Sequence, residues 1–383
     1  MAQSVFEFSP RADTAAAPAG GVDATGFAIG WDHAHHRITP PLAHLNDHNP
    51  VGQGWAAGRA AFGERHLRAS AAVRQWLALR LQAWQAGVVF EEQQVNPAFL
   101  ARIDADVCPV SRVPLLLATG GPDDATALRL NTAAAYAAGN LAVVSRDVAQ
   151  AWGMGDWHAA HDQAAVLAAE RGASHHGLDA DAWQRLVVLA SFATPLAHAQ
   201  AALLPLRVLP PNRVRVINPV QALQVMLTLQ FSQAGFARRL LGLAALVPGH
   251  EARQAFQIFM HTLLARRLAV GTRPTPLQLR QAMEDTWADA LVQRRWQRLA
   301  GHLDAGSCEL LLQRASQRGL VVGGGRWLSA DAAIDGWALA APGQPAARRA
   351  GPAADQPADC RLAPVLVARP GKARNRGSQN AAS

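Results

Sequence analysis

The sequence predicts a mainly α-helical, multi-helical protein carrying a small ββα insert and a β-hairpin near its C-terminal end. Three observations point there. Apolar residues recur three and four positions apart through most of the 383 residues, between helix start and stop signals. Strand-like runs are few, and the best two, Val113–Ala118 and Leu141–Val144, flank one Gly/Pro/Asp loop. Further on, Gly323-Gly324-Gly325 separates Val321-Val322 from Arg326-Trp327-Leu328, the pattern of a tight turn between two extended runs.

Taken in order, residues 1–24 are rich in Ala, Pro, Gly and Ser and read as a disordered N-terminus without the basic-then-apolar pattern of a signal peptide. Residues 25–107 form a loop and helix region expected to pack on the insert. Within it, Phe27 to Arg68 mixes Trp31, Pro40, Pro41, Gly52, Gly54 and Gly58, which argues for loops and short turns. Ser70 then caps a helix ending at Gly87, with Val73, Trp76, Leu77 and Trp84 at helical spacing. Asn96-Pro97 opens a short helix to Ile103, proline taking the first helical position where its missing N–H costs nothing. The insert, residues 108–152, holds the two strand candidates and a helix that Ser145 could cap, stopped by Gly153 and Gly155.

Residues 153–340 are helical almost throughout. The expected helices are Trp157–Arg171, Ala180–Ala193 behind Asp179, Pro219–Gln230 behind Asn218, Phe236–Val247, Ala252–Val270, Pro276–Leu303 and Cys308–Arg318. Thr275-Pro276-Leu277-Gln278 is a capping box, a specific start signal. Residues 341–383 turn to Pro, Ala, Gly and Arg and read as a disordered basic tail with Arg369, Lys372, Arg374 and Arg376.

Hydrophobic residues make up 50% of the chain and charged ones 17%, the balance of a chain able to bury a core. The net charge is +8, which favours anionic partners, nucleic acid above all. All of it but Lys372 is arginine, so codon bias in a GC-rich, bacterial-type genome accounts for part of the excess. Cys108, Cys308 and Cys360 lie far apart and form no CxxC pair, which excludes a zinc ribbon and fits a reducing cytoplasm. The most apolar stretch, Val187 to Val208, is interrupted by Pro195, His198, Gln200 and Pro205, so no membrane span is expected. The glycine, serine and histidine signatures of dehydrogenases, NTPases, α/β-hydrolases and zinc proteases are missing.

The stretch richest in chemistry is Cys108-Pro109-Val110-Ser111-Arg112-Val113-Pro114-Leu115, then Leu128-Arg129-Leu130-Asn131, then Ala135-Tyr136-Ala137-Ala138-Gly139-Asn140-Leu141-Ala142-Val143-Val144-Ser145. It resembles the ββα core of HNH-type nucleases. The resemblance implies a unit that holds a divalent metal against a scissile phosphate while a nearby base activates water. Carried over by position, Arg129 stands in the base slot and Asn140 in the slot of the loop-holding asparagine. The family's metal-binding Asp falls on Leu128 and its last Asn on Ala149, neither of which can ligate a hard cation. The resemblance thus implies a nucleic-acid-associated module, DNA being the favoured partner, with no metal cofactor. One alternative is a working Mg²⁺-dependent endonuclease with displaced ligands drawn from Asp123, Asp124, Asp147, His158 or His161. Another is a helical scaffold that binds a protein partner.

Other constellations are weaker. Asp32-His33-Ala34-His35-His36 would point His33 and His35 to one side of a strand, but nothing later completes a tetrahedral zinc set. His158, His161 and Asp162 share a helix face behind Asp156. Arg146, Arg314, Arg318 and Arg326, with Arg129, are the candidate phosphate contacts, the last three at the end of what resembles a winged-helix unit. Arg294-Arg295-Trp296-Gln297-Arg298 reads as a solvated helix face with a backbone-contact alternative.

Overall fold

Most helix starts are capped by side chains, but Ser145, Asp156 and Asn218 precede their helices without a side-chain cap bond. A computed structural model of the chain describes residues 23–117, 119–153, 155–170, 172–271, 273–322 and 327–339. They fall into two units divided between Ala69 and Ser70.

The first unit contains α1 (Ala24–His35) and α2 (Pro50–Phe62), where the glycines and prolines argue for loops. Asp23 caps α1 by accepting the Thr25 and Gly26 N–H groups, and Asn49 caps α2 ahead of Pro50. The glycines are not breakers here because they lie in the helix crossing. A Cβ on Gly30 would run into the Val51 carbonyl, and one on Gly54 into the Phe27 carbonyl, so only glycine lets the two backbones meet. His33 is therefore helical, not extended, and is buried with Nδ1 2.8 Å from the Ile29 carbonyl oxygen. The expected pairing of His33 with His35 on one side of a strand does not form.

The second unit opens with α3 (Ala71–Gln85), capped by Ser70, and α4 (Pro97–Ile103), capped by Asn96. An antiparallel pair follows, β1 (Ala125–Arg129) and β2 (Leu141–Ser145), leading directly into α5 (Arg146–Trp152). Then come α6 (Trp157–Ala169), a two-residue ladder of β3 (Ser174–His175) with β4 (Leu178–Asp179), α7 (Ala180–Ser191), α8 (His198–Leu203) and α9 (Pro219–Leu229). The remainder is α10 (Phe236–Ala244), α11 (His250–Ala269), α12 (Pro276–Asp285), α13 (Ala290–Ala300), α14 (Ala305–Gln317) and α15 (Ala330–Ala333). The mainly α architecture with a small β insert is thus as the sequence predicts.

Two elements differ from expectation. Val113–Leu117 is not a strand: it makes single bridges at Pro114 with Val107 and at Leu116 with Asp124. Pro114, its second residue, has no N–H to donate, and the ladder passes instead to Ala125–Arg129. The long helix over Pro276–Leu303 is broken. Asp289 accepts the Leu291 and Val292 N–H groups and starts α13 afresh, after a 3₁₀ turn that buries Trp287. Gly323–Gly325 and Arg326, the turn of the expected hairpin, lie outside the described residues, as does the tail from Ala340 onward, and Val321-Val322 and Trp327-Leu328 on either side form no strand.

One hydrophobic core runs from Leu79 through the strands to Trp337 and includes side chains of α7, α9, α11, α13 and α14. Polar ties cross it. Arg112 reaches Asp285 (2.6 Å) and Glu284 (3.4 Å) on α12, and Glu284 accepts the Leu209 N–H at 2.9 Å. Trp337, fully buried, donates its indole N–H to the Ala138 carbonyl (3.0 Å), and its own carbonyl accepts the Ala135 N–H at 2.7 Å. Among the described residues no helix is long and apolar enough to cross a membrane.

Candidate functional site

The β1–β2–α5 unit positions Leu128, Arg129 and Ala149, and its β1–β2 connection carries Asn140. The register pairs Ala125 with Ser145, Leu128 with Ala142 and Arg129 with Leu141. All five residues of β2 are buried, so the unit is embedded rather than displayed. Such burial suits the run Leu141-Ala142-Val143-Val144, which lacks the polar alternation of a strand wetted on one face.

Asn140 is the keystone of the long β1–β2 connection and is fully buried. Its side-chain oxygen accepts the Asn131 N–H at 2.7 Å, and its amide donates to the Asn131 and Ala135 carbonyls, both at 3.0 Å. One side chain thus satisfies three backbone groups that no ladder reaches. Gly139, just before it, sits at φ +92°, a left-handed conformation that L side chains avoid, and the Arg215 side chain lies where a Cβ would go. Arg215 donates on to the Ala333 carbonyl (3.1 Å), the Asp335 carbonyl (3.2 Å) and the Gln94 side chain (3.0 Å).

Arg129 ends β1 with its guanidinium 4.8 Å from the Tyr136 ring centroid and donates to the Ala134 carbonyl at 3.1 Å. Burial pushes its pKa down, partly opposed by Tyr136. The position that the resemblance would give to a base thus carries a guanidinium stacked inside its own loop. Leu128, where the resemblance would put the metal-binding Asp, is buried in the core, and Ala149 packs against that core.

Asp124 immediately precedes β1, and both its carboxylate oxygens are engaged. One accepts the Thr119 N–H (2.9 Å) and hydroxyl (2.7 Å); the other accepts the Gly120 N–H (2.8 Å) and Arg146 (2.6 Å). Burial raises its pKa, but these donors and the Arg146 charge outweigh that and hold it below the ordinary carboxylate value. Arg146, at the start of α5, gives its other arm to the Gly120 carbonyl. The pair is a closed latch across the loop ahead of β1.

The remaining candidates are dispersed. His158 and His161 are exposed at the start of α6, their rings against Trp157 and each beside an aspartate, Asp156 and Asp162. Among the described residues no group of three His, Cys, Asp or Glu side chains gathers where a metal ion could be held. Arg314 and Arg318 are exposed at the C-terminal end of α14. Arg326 lies outside the described residues. Sequence reasoning missed Arg215 and Trp337, which brace the Gly139-Asn140 loop from far along the chain. The one local hint was the glycine itself, which marks a close approach without saying by what.

In comparisons with protein-family models, curated proteins and solved structures, none matched this chain.

Proposed function

We propose that the chain is a nucleic-acid-associated protein in which an HNH-like ββα unit serves as a non-cleaving scaffold. The observation that carries this reading is the contrast inside the unit. The Asn140 clamp and the strand–strand–helix order are intact, whereas Leu128 occupies the metal position and Asp124 has both oxygens committed to internal donors. A hard divalent cation needs free oxygen ligands converging on one point. Freeing Asp124 would break four hydrogen bonds and strand the Arg146 charge. DNA is the proposed partner, held by arginine and phosphate with counterion release. Of Arg129, Arg146, Arg314 and Arg318, all described residues, the last two are exposed. The cytoplasm is the proposed compartment, with Cys108 and Cys308 buried as free thiols.

A protein-binding scaffold is the second reading. It draws on the fact that Arg129 and Arg146 spend their guanidinium groups on the fold itself. The test is binding to labelled duplex and single-stranded DNA over a salt series, with Mg²⁺ or Mn²⁺ present and the products run on a gel. Binding that weakens steeply with salt and leaves the DNA intact is expected. Cleavage abolished by EDTA would replace this reading with a metal-dependent endonuclease. No binding at low salt would leave the protein scaffold.

A further inference from the structure

We infer that the α11–α13 helix pair carries a docking ridge for a nucleic-acid backbone, distinct from the ββα unit. The inference rests on the reading of the chain as nucleic-acid-associated and gives that reading a surface. The two helices hold six arginines against one glutamate. On α13 there are three arginines and no acidic residue. Across the whole chain Lys and Arg number 36 against 28 Asp and Glu, so codon bias alone does not explain so lopsided a pair of neighbours.

The core dictates which way these arginines face. Trp296 is buried, donates its indole N–H to the Ala202 carbonyl at 2.9 Å, and packs on Phe259 (5.5 Å) and Trp287 (5.6 Å). At about 100° per residue, Arg294 and Arg298 stand roughly 200° around the helix from Trp296, on the opposite face. Both are exposed, and neither has an acidic partner among the described residues. Arg295, one step from Trp296, leans across to α11 and donates to the Thr262 hydroxyl. Arg266 on α11 pairs with Asp289 at the N-terminal end of α13, and Arg267 follows it. The antiparallel contacts run from Arg266 beside Asp289 to Glu251 beside His302 (4.0 Å).

A rigid platform of this kind suits phosphate better than it suits a carboxylate partner. Guanidinium groups are planar and fork-shaped, and an i, i+4 pair sits about 6 Å apart along the axis, close to the spacing of successive phosphates. The buried tryptophans hold the helix without offering a stacking face, so contacts would be to backbone and not to bases.

The test compares wild type, Arg294→Gln/Arg298→Gln and Arg314→Gln/Arg318→Gln for binding to a fluorescein-labelled 20-base-pair duplex between about 50 and 200 mM NaCl. Far-ultraviolet circular dichroism and thermal midpoints check folding. Each lost phosphate contact should lower the slope of log K against log salt by about 0.9, so the α13 variant is expected to lose about 1.8. Wild-type binding with an unchanged slope in the α13 variant would overturn the ridge while leaving nucleic-acid association standing. No wild-type binding at the lowest salt would overturn both. Poly-glutamate bound by wild type as tightly as duplex would overturn the assignment to nucleic acid.

Discussion

Replacing Asn140 with alanine should be among the most damaging single changes in the second unit. The substitution strips the partner from the Asn131 N–H and from the Ala135 carbonyl, while the Asn131 carbonyl keeps the Ala134 N–H at 3.2 Å. Ala135 is buried, so its carbonyl bears a full penalty of about 1–3 kcal/mol. Asn131 is half-buried and water can reach it in part, so its N–H costs about 1 kcal/mol. The expected loss is therefore roughly 2–4 kcal/mol, a large share of the ~5–15 kcal/mol that holds a typical domain. Urea denaturation followed by tryptophan fluorescence measures it, since Trp152 and Trp337 are buried around the loop. Asn140→Asp sharpens the test. It keeps an acceptor for Asn131 but turns a carboxylate toward two carbonyls, which raises its folded pKa. That variant should be most stable below the unfolded carboxylate value of about 3.9 and lose stability as pH rises through the higher folded value. An Asn140→Ala loss under about 1 kcal/mol, or an Asn140→Asp variant insensitive to pH, would refute the clamp.

Three further outcomes are expected. Asp124 has a folded pKa below its unfolded one, so its contribution is full above about pH 3.9 and disappears as pH falls through the folded value. The gap in urea midpoint between wild type and Asp124→Asn should hold from pH 7 to about 5 and close toward pH 2.5; a gap constant over that whole range would show that ionisation plays no part. Gly139→Ala, at φ +92° and against Arg215, should cost about 1–3 kcal/mol, and Arg215→Ala in the same chain should recover part of it in a double-mutant cycle. Additive effects would mean that backbone strain alone is responsible. Burial, with Asp304 and Glu309 nearby, pushes the Cys308 thiol up to about 12, and Cys108 is buried as well, so a Cys360→Ser protein should show no fast thiol toward a disulfide reagent until it is unfolded.

What the sequence revealed and what it hid follow the range of each interaction. Ser70, Asn96, Asp179 and Thr275 announce their helices because a cap is a bond to a backbone N–H only two or three residues away. The glycines of α1 and α2 mislead because their reason is the partner helix, invisible in a local window. Ala125-Thr126-Ala127-Leu128-Arg129 is weak in β-formers and becomes a strand through pairing with Leu141–Ser145, while Val113–Leu117 has the composition and lacks the partner. At the candidate site, the motif locates Arg129 and Asn140 by position, and Arg146 stands out only as a basic residue beside it. It cannot say that all three are turned inward, because the Tyr136 ring, the Ala135 carbonyl and Asp124 close on them only in the fold.

The tie between Trp337 and Ala138 also sets a clock. The two residues are 199 positions apart, and the β1–β2 connection takes an indole N–H and a backbone acceptor from a segment synthesised near the end of the described chain. At about 5–20 residues per second, a nascent chain waits roughly 10–40 s after Ala138 before Trp337 exists at all. During that interval Asn140 holds the loop together with Arg129 and the Val89 and Glu91 backbone, with the pocket that receives Trp337 open to solvent and to chaperones. A strong clamp made within ten residues of sequence is what a late-arriving plug requires.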